Sequence, residues 1–304
     1  MHEPTIVAVG MFDGVHRGHQ YVLGRLVSLG RELGLVPTVV TFSNHPRSVT
    51  SPGSVPDMLT DASTRASLMG GLGVRDVVVL DFDDELRRMT ASEFGERVLK
   101  EQLNARALLL GYDNGFGSDG LKGVEEYRGA LEPLGISVAG CEVAPSVSVS
   151  STAVRVALSD GDVVLAHELL GRPYSIAGNV VRGKHLGSVI GFPTANLDTG
   201  RSLLPGGGVY VGRILSPERF AGRGALINIG TAPTVNGDAG IVLTEVHILV
   251  GDGECVGELY GERVGVEFLC RLRDERRFGN IDELREALDA DRRRATEILE
   301  EFSL

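Results

Sequence analysis

The chain has 304 residues, of which 42% are hydrophobic and 23% charged, with a formal net charge of -11. That length predicts two domains, and the acidity excludes both a whole-chain basic footprint for nucleic acid and electrostatic docking on an anionic membrane. Three cysteines (Cys141, Cys255, Cys270) without a CxxC pair exclude a disulfide framework and a cysteine zinc site. The opening Met-His-Glu-Pro-Thr has no signal-peptide pattern, and no stretch approaches 18 apolar residues. A cytoplasmic protein is expected, with no nucleic-acid or membrane partner. The oligomeric state stays open, and a homo-oligomer is compatible with the sequence.

In chain order, residues 5–9 predict a strand and residues 18–33 a helix with Val22, Leu26, Leu29 and Leu33 on one face. Strands follow at 36–42, 77–80, 105–110 and 136–143. Helices fall at 62–72, 92–103 (with Ser92 as cap) and 124–134. Strands alternating with helices predict an α/β domain with a parallel, Rossmann-like sheet. Residues 153–158 and 163–170 read as two short helices, broken by Gly171-Arg172-Pro173. Beyond them come short β-branched strands at 176–181, 208–214, 224–229, 241–249 and 263–268, without long helices between. They predict a small antiparallel β-barrel. Residues 280–302 form a terminal helix, opened by the capping pair Asn280 and Glu283. The expected domains are 1–170 and 171–304.

Two stretches carry chemistry. The first strand runs into Gly10-Met11-Phe12-Asp13-Gly14-Val15-His16-Arg17-Gly18-His19. A Gly-rich turn before a helix presents free N–H groups to an anion, and two His flanking a Gly can both donate to a phosphate. An HxxH pair also occurs as a plain, solvent-facing helix cap. Further on, Gly178-Asn179-Val180-Val181-Arg182-Gly183 and Gly187 precede Gly191-Phe192-Pro193-Thr194-Ala195-Asn196. Glycines let backbone approach phosphates closely. Thr194 and Asn196, two apart on extended chain, point the same way and offer two hard oxygens to Mg²⁺. Read alone, PTAN is equally a surface turn. Glu245, in the apolar strand Leu243-Thr244-Glu245-Val246-His247, suits a general base for attack by an alcohol. An outward-facing strand Glu is the plainer alternative.

The form GxFDGVHxGH resembles the adenylyltransferase half of the bacterial bifunctional riboflavin kinase/FMN adenylyltransferase (FAD synthetase) family, within the HxGH nucleotidyltransferases. Thr41-Phe42-Ser43-Asn44-His45-Pro46 is similar to that family's TFxPHP, with Asn44 where Pro is usual. Gly111-Tyr112-Asp113-Asn114-Gly115-Phe116-Gly117 resembles GxDFxFG, with Asn114 replacing an aromatic residue. Ser150-Ser151-Thr152-Ala153-Val154-Arg155 resembles SSTxIR. The glycine frame with GFPTAN resembles the flavokinase signature. Gly208-Val209-Tyr210, Asn228-Ile229-Gly230, the strand around Glu245, Leu259-Tyr260-Gly261 and Arg271-Leu272-Arg273 follow in the family's order.

The resemblance implies two ATP-dependent reactions, phosphorylation of riboflavin to FMN and adenylylation of FMN to FAD. It implies His16, His19 and Arg155 as catalytic, with Gly10, Phe12, Asp13, Gly18, His45, Asp113, Ser151 and Thr152 around the nucleotide and flavin. In the kinase half it implies Glu245 as base, Gly183, Gly191 and Pro193 around ATP, and Thr194 and Asn196 as ligands of Mg²⁺ brought as MgATP. The partners implied are riboflavin, FMN, FAD and ATP. The substitutions at Asn44 and Asn114 also allow a riboflavin kinase with a divergent first half. A non-catalytic flavin sensor is the reading from another class, and the retention of Thr194, Asn196 and Glu245 argues against it.

Overall fold

The computed structural model describes residues 3–112, 115–142, 149–183, 191–232, 241–251, 254, 256–276 and 278–302. The chain divides into two compact units, Met1–Ser151 and Thr152–Leu304.

The first unit alternates β1 (Thr5–Val9), α1 (Arg17–Leu33), β2 (Val36–Phe42), α2 (Arg47–Thr50), α3 (Ala62–Gly71), β3 (Asp76–Leu80), α4 (Asp84–Arg88), α5 (Ala91–Phe94), β4 (Ala105–Leu110), α6 (Gly123–Leu131) and β5 (Ser137–Gly140). The strands form one parallel sheet in the order β3-β2-β1-β4-β5. β1 is buried along its whole length, as expected of a central strand covered on both faces. β3 lies at the edge and is only half-buried, although Val77–Leu80 reads as fully apolar. The order reverses between β1 and β4, so the loop after β1 leaves the sheet at its topological switch point. Ligands of such sheets bind there.

One cap is corrected. The helix expected to start behind Ser92 begins at Ala91, and Thr90 caps it. Thr90 and Glu93 form a reciprocal capping box, satisfying two orphan N–H groups where Ser92 would satisfy one. The chain continues from α5 as a π-helical run to Gln102.

Helix α7 (Ser151–Ser159) starts at the last residue of the first unit, and α8 (Val163–Leu170) follows in the second and packs on the barrel strands after it. Six antiparallel strands follow: β6 (Tyr174–Val181), β7 (Ala195–Asp198), β8 (Gly208–Ser216), β9 (Gly224–Ala232), β10 (Ile241–Ile248) and β11 (Arg263–Arg273). They close in the order β10-β7-β6-β11-β8-β9. Tyr174, Phe268 and Tyr210 pack ring against ring inside it. β7 has no counterpart among the expected strands. Pro193, Asn196 and Asp198 are poor strand formers, and closure of the barrel overrides that preference. The terminal helix α9 (Ile281–Glu301) packs on β8 and β9, with Asn280 as its cap. Arg273 on β11 grips the buried Asp291 of α9 through Nε (3.0 Å) and Nη2 (2.7 Å). Among the described residues no helix is long and apolar enough to cross a membrane.

Candidate active sites

The first site is built on the turn between β1 and α1. Phe12, Gly14 and Val15 all take left-handed backbone, at φ 49°, 81° and 43°. For a β-branched, buried residue such as Val15 this costs about 1–3 kcal/mol. Neighbouring bonds hold the strain in place. The N–H of Val15 donates to Phe12 O (3.0 Å). The Asp13 carboxylate accepts the N–H groups of Leu59 (3.1 Å) and Thr60 (3.0 Å), and the Gly14 N–H donates to Thr60 Oγ1 (3.0 Å). Asp13 is therefore a clip that shapes the turn. Within the same unit, Ser151 Oγ donates to the Asp13 carbonyl (3.0 Å).

His16 is the N-cap of α1, and the His19 N–H donates to its Nδ1 (3.3 Å). An imidazole nitrogen that accepts carries no hydrogen, so the neutral His16 ring bears its proton on Nε2. The plain capping reading is thus half right: His16 does cap the helix, but it is 5% exposed rather than solvent-facing. The His16 and His19 rings stack at 3.6 Å. A Cβ on Gly18 would stand 3.2 Å from the His16 ring and 3.4 Å from Val149 O, so glycine there lets the ring lie close. Beneath the pair is the fully buried Arg65, which donates to Met11 O (2.9 Å) and Phe42 O (2.7 Å). His19 Nδ1 and Arg65 Nε are buried and have no hydrogen-bond partner among the described residues.

Burial pushes the His16 imidazole down to about 4, with the Asp13 charge opposing only in part. Burial, then His16 and Arg65, hold His19 well below its usual value. Both rings are neutral donors at pH 7, and the positive charge of the site comes from Arg65. The sign of the pH effect follows. Between about pH 6.5 and 4, an unfolded His16 binds a proton that the folded one does not, so stability falls as pH drops through that window. Urea unfolding of the first unit is expected to show this decline, and His16→Asn, which keeps a capping oxygen, to flatten it. A decline equally steep in that variant would assign the effect to other groups.

Gly10 ends β1, its N–H donating to Val40 O (3.0 Å). His45 stands just before Pro46, the N-cap of α2, and its Nδ1 accepts the Arg47 N–H (3.1 Å). Asn44 takes both backbone groups of Phe82, accepting the N–H (2.8 Å) and donating to the carbonyl (2.9 Å). This substitution ties the ends of β2 and β3 together. Asp113 and Asn114 lie outside the described residues. Tyr112, just beyond β4, is 78% exposed. Thr152 and Arg155 follow Ser151 on α7 and count with the second unit.

The second site is a row across three neighbouring strands. Glu245 on β10 pairs with Asn196 on β7 and with Asn228 on β9. Directly opposite side chains on one face of a sheet have Cβ atoms about 4.5–5.5 Å apart. All three are half-buried, whereas Thr244, Val246 and Ile248 are buried inside the barrel. A Cβ on Gly183 would come within 2.2 Å of Asn196 Nδ2, so that glycine lies against the carboxamide. The Glu275 carboxylate lies beside Gly230, at the Asn228 end of the row. Gly191 has φ 86°, the left-handed region, which lets the chain turn into exposed Pro193 and Thr194. Residues 184–190, with Gly187 of the glycine frame, lie outside the described set.

A family model for FAD synthetase matches residues 1–155, and one for riboflavin kinase matches residues 170–299. The bifunctional riboflavin kinase/FMN adenylyltransferase of Pseudomonas fluorescens is 38% identical over 293 residues, covering 95% of this chain and 91% of that relative. The chain belongs to the bifunctional riboflavin kinase/FMN adenylyltransferase family. The family members from Escherichia coli K12 and Bacillus subtilis 168 are 35% and 32% identical, over 97% and 96% of this chain and 93% and 91% of theirs. A crystal structure named as a macrolide-efflux protein from Streptococcus pneumoniae shares the fold, with a TM-score of 0.81, 31% identity and coverage of 95% of this chain and 92% of that one.

Against the family's motifs, the row unites Asn196 and Glu245 of the kinase signature, and the turn unites His16, Gly18 and His19 of the adenylyltransferase signature. Sequence reasoning missed Arg65 and Glu275. Arg65 carries no motif signal, since a buried Arg is legible only once its partner carbonyls are in place. Asn228 was within reach: it shares a quoted motif and the outward phase of its strand.

Proposed function

We propose that the barrel, in residues 171–304, transfers the γ-phosphoryl group of ATP to the primary hydroxyl of riboflavin. Glu245 takes the proton as that oxygen attacks phosphorus. The observation that carries this is the row Asn196–Glu245–Asn228, which puts one carboxylate between two carboxamides on a surface braced by Gly183. Thr194 and Asn196 supply a hydroxyl and a carboxamide, the hard oxygens that suit Mg²⁺. Among the described residues no group of three or more His, Cys, Asp or Glu is placed to hold a metal by itself. The Thr194 and Asn196 side chains suit a cation that would be brought as MgATP. When bound it would neutralise part of the phosphate charge.

The unit within residues 1–170 joins AMP from ATP to FMN. His16 Nε2, His19 and the amides at the start of α1 face the α-phosphate, with the Arg65 charge beneath. Ser151, tied to the same turn through the Asp13 carbonyl, helps hold the departing pyrophosphate. Tyr112 offers an exposed ring to the isoalloxazine at the carboxyl edge of the sheet, and His45 flanks the same edge. The test is direct. Protein, riboflavin, ATP and Mg²⁺ are incubated and the flavins separated by chromatography. FMN and FAD should both appear. FMN alone would reduce the first unit to a nucleotide-binding remnant, and flavin binding without turnover would make the chain a sensor.

A further inference from the structure

His247 lies two residues beyond Glu245, on the same face of β10. Its Nδ1 is 2.8 Å from the carbonyl oxygen of Pro193. A carbonyl only accepts, so Nδ1 carries the hydrogen. The ring packs on buried Phe192, with centroids 5.3 Å apart, and Arg292 of α9 lies 5.8 Å from the Phe192 centroid. The Pro193 carbonyl belongs to the peptide group that joins Pro193 to Thr194. Holding that oxygen fixes the plane of the peptide, and the proline ring already fixes φ on the other side. On the far side of Thr194, β7 begins, with Ala195 opposite Val246 and Asn196 opposite Glu245. Thr194 is thus held from both directions by the strand that carries Glu245.

We propose that His247 is a positioning residue for phosphoryl transfer. Its hydrogen bond to Pro193 O and its packing on Phe192 aim the Thr194 and Asn196 oxygens at the space in front of Glu245. His247 touches neither ATP nor riboflavin in this role. The proposal rests on the reading of this face as the riboflavin kinase centre.

The test uses the full chain and three variants. His247→Asn puts an amide nitrogen near the place of Nδ1. His247→Gln puts one near the place of Nε2. His247→Leu keeps apolar bulk and removes the donor. FMN formation is measured against Mg²⁺ concentration, and FAD formation from supplied FMN reports on the first unit. His247→Leu is expected to raise the half-saturating Mg²⁺ about tenfold, the loss of one hydrogen bond's worth of alignment, with a smaller fall in kcat. His247→Asn should stay near wild type, and FAD formation should not change in either. Unaltered Mg²⁺ dependence in His247→Leu would overturn the proposal. So would an Asn variant as impaired as the Leu variant. Should the Leu variant fail to fold, the Asn and Gln variants decide: Gln behaving like Asn would remove the bond at Nδ1 from the account. Glu245→Gln in the same assay separates the two levels. If it keeps more than about a tenth of the FMN-forming rate, the reading of this face as the kinase centre fails; if it loses more than that, a negative result at His247 counts against His247 alone.

Discussion

Glu245→Gln is expected to cut FMN formation about 10²–10⁴-fold, the usual worth of a general base, while FAD formation from supplied FMN continues at its normal rate. The swap is nearly isosteric. It leaves the backbone pairing with Asn196 and Asn228 unchanged, because that pairing belongs to the ladders of β7, β10 and β9. The two products separate by chromatography, so a single reaction with each substrate reads both arms. A fall of less than about tenfold would show that the proton leaves by another route. A loss of both activities in a folded variant would refute the assignment of the two reactions to separate sites.

His19→Ala should do the reverse. Its effect on FAD formation is expected to be a loss of about 10²–10³-fold, that of removing one donor aimed at developing charge. Two things set its size. The ring stacks directly on His16, so its removal also frees the ring whose Nδ1 caps α1. The Arg65 charge stays behind and preserves part of the attraction for ATP. KM for ATP should therefore move less than kcat. FMN formation should be untouched. A KM effect larger than the kcat effect would make His19 a binding group rather than one that acts at the transition state.

Much of this was legible in the chain itself. The parallel sheet was readable because β1, β2 and β4 are apolar runs separated by amphipathic helices. The His16–His19 turn was readable because glycine, an acidic residue and a helix start stand together. What escaped shares one physical cause: it is decided by partners far away in sequence. β7 is a strand only because β6 and β10 flank it. The sequence marks Asp13 as part of a motif, and the fold adds that Leu59 and Thr60 donate to its carboxylate. Asn44 reads as a departure from pattern until Phe82 is seen to need both of its polar atoms. Arg65 and His247 each serve a carbonyl more than 50 residues away.

The alternation along β10 has a bearing on how Glu245 is kept in its place. Thr244, Val246 and Ile248 fill the barrel, and Glu245 and His247 lie on the other phase. A slip of one residue between β10 and its neighbours would turn the carboxylate and the imidazole into the barrel and three packed side chains out of it. Such a slip is opposed by the whole hydrophobic filling of the barrel, at roughly 1.5–3 kcal/mol for each large apolar side chain expelled. The register of Glu245 is thus guarded by the residues that fill the barrel. Drift in the Val246 and Ile248 positions toward polar residues would be felt first as lost fidelity of alignment, before the fold itself gave way.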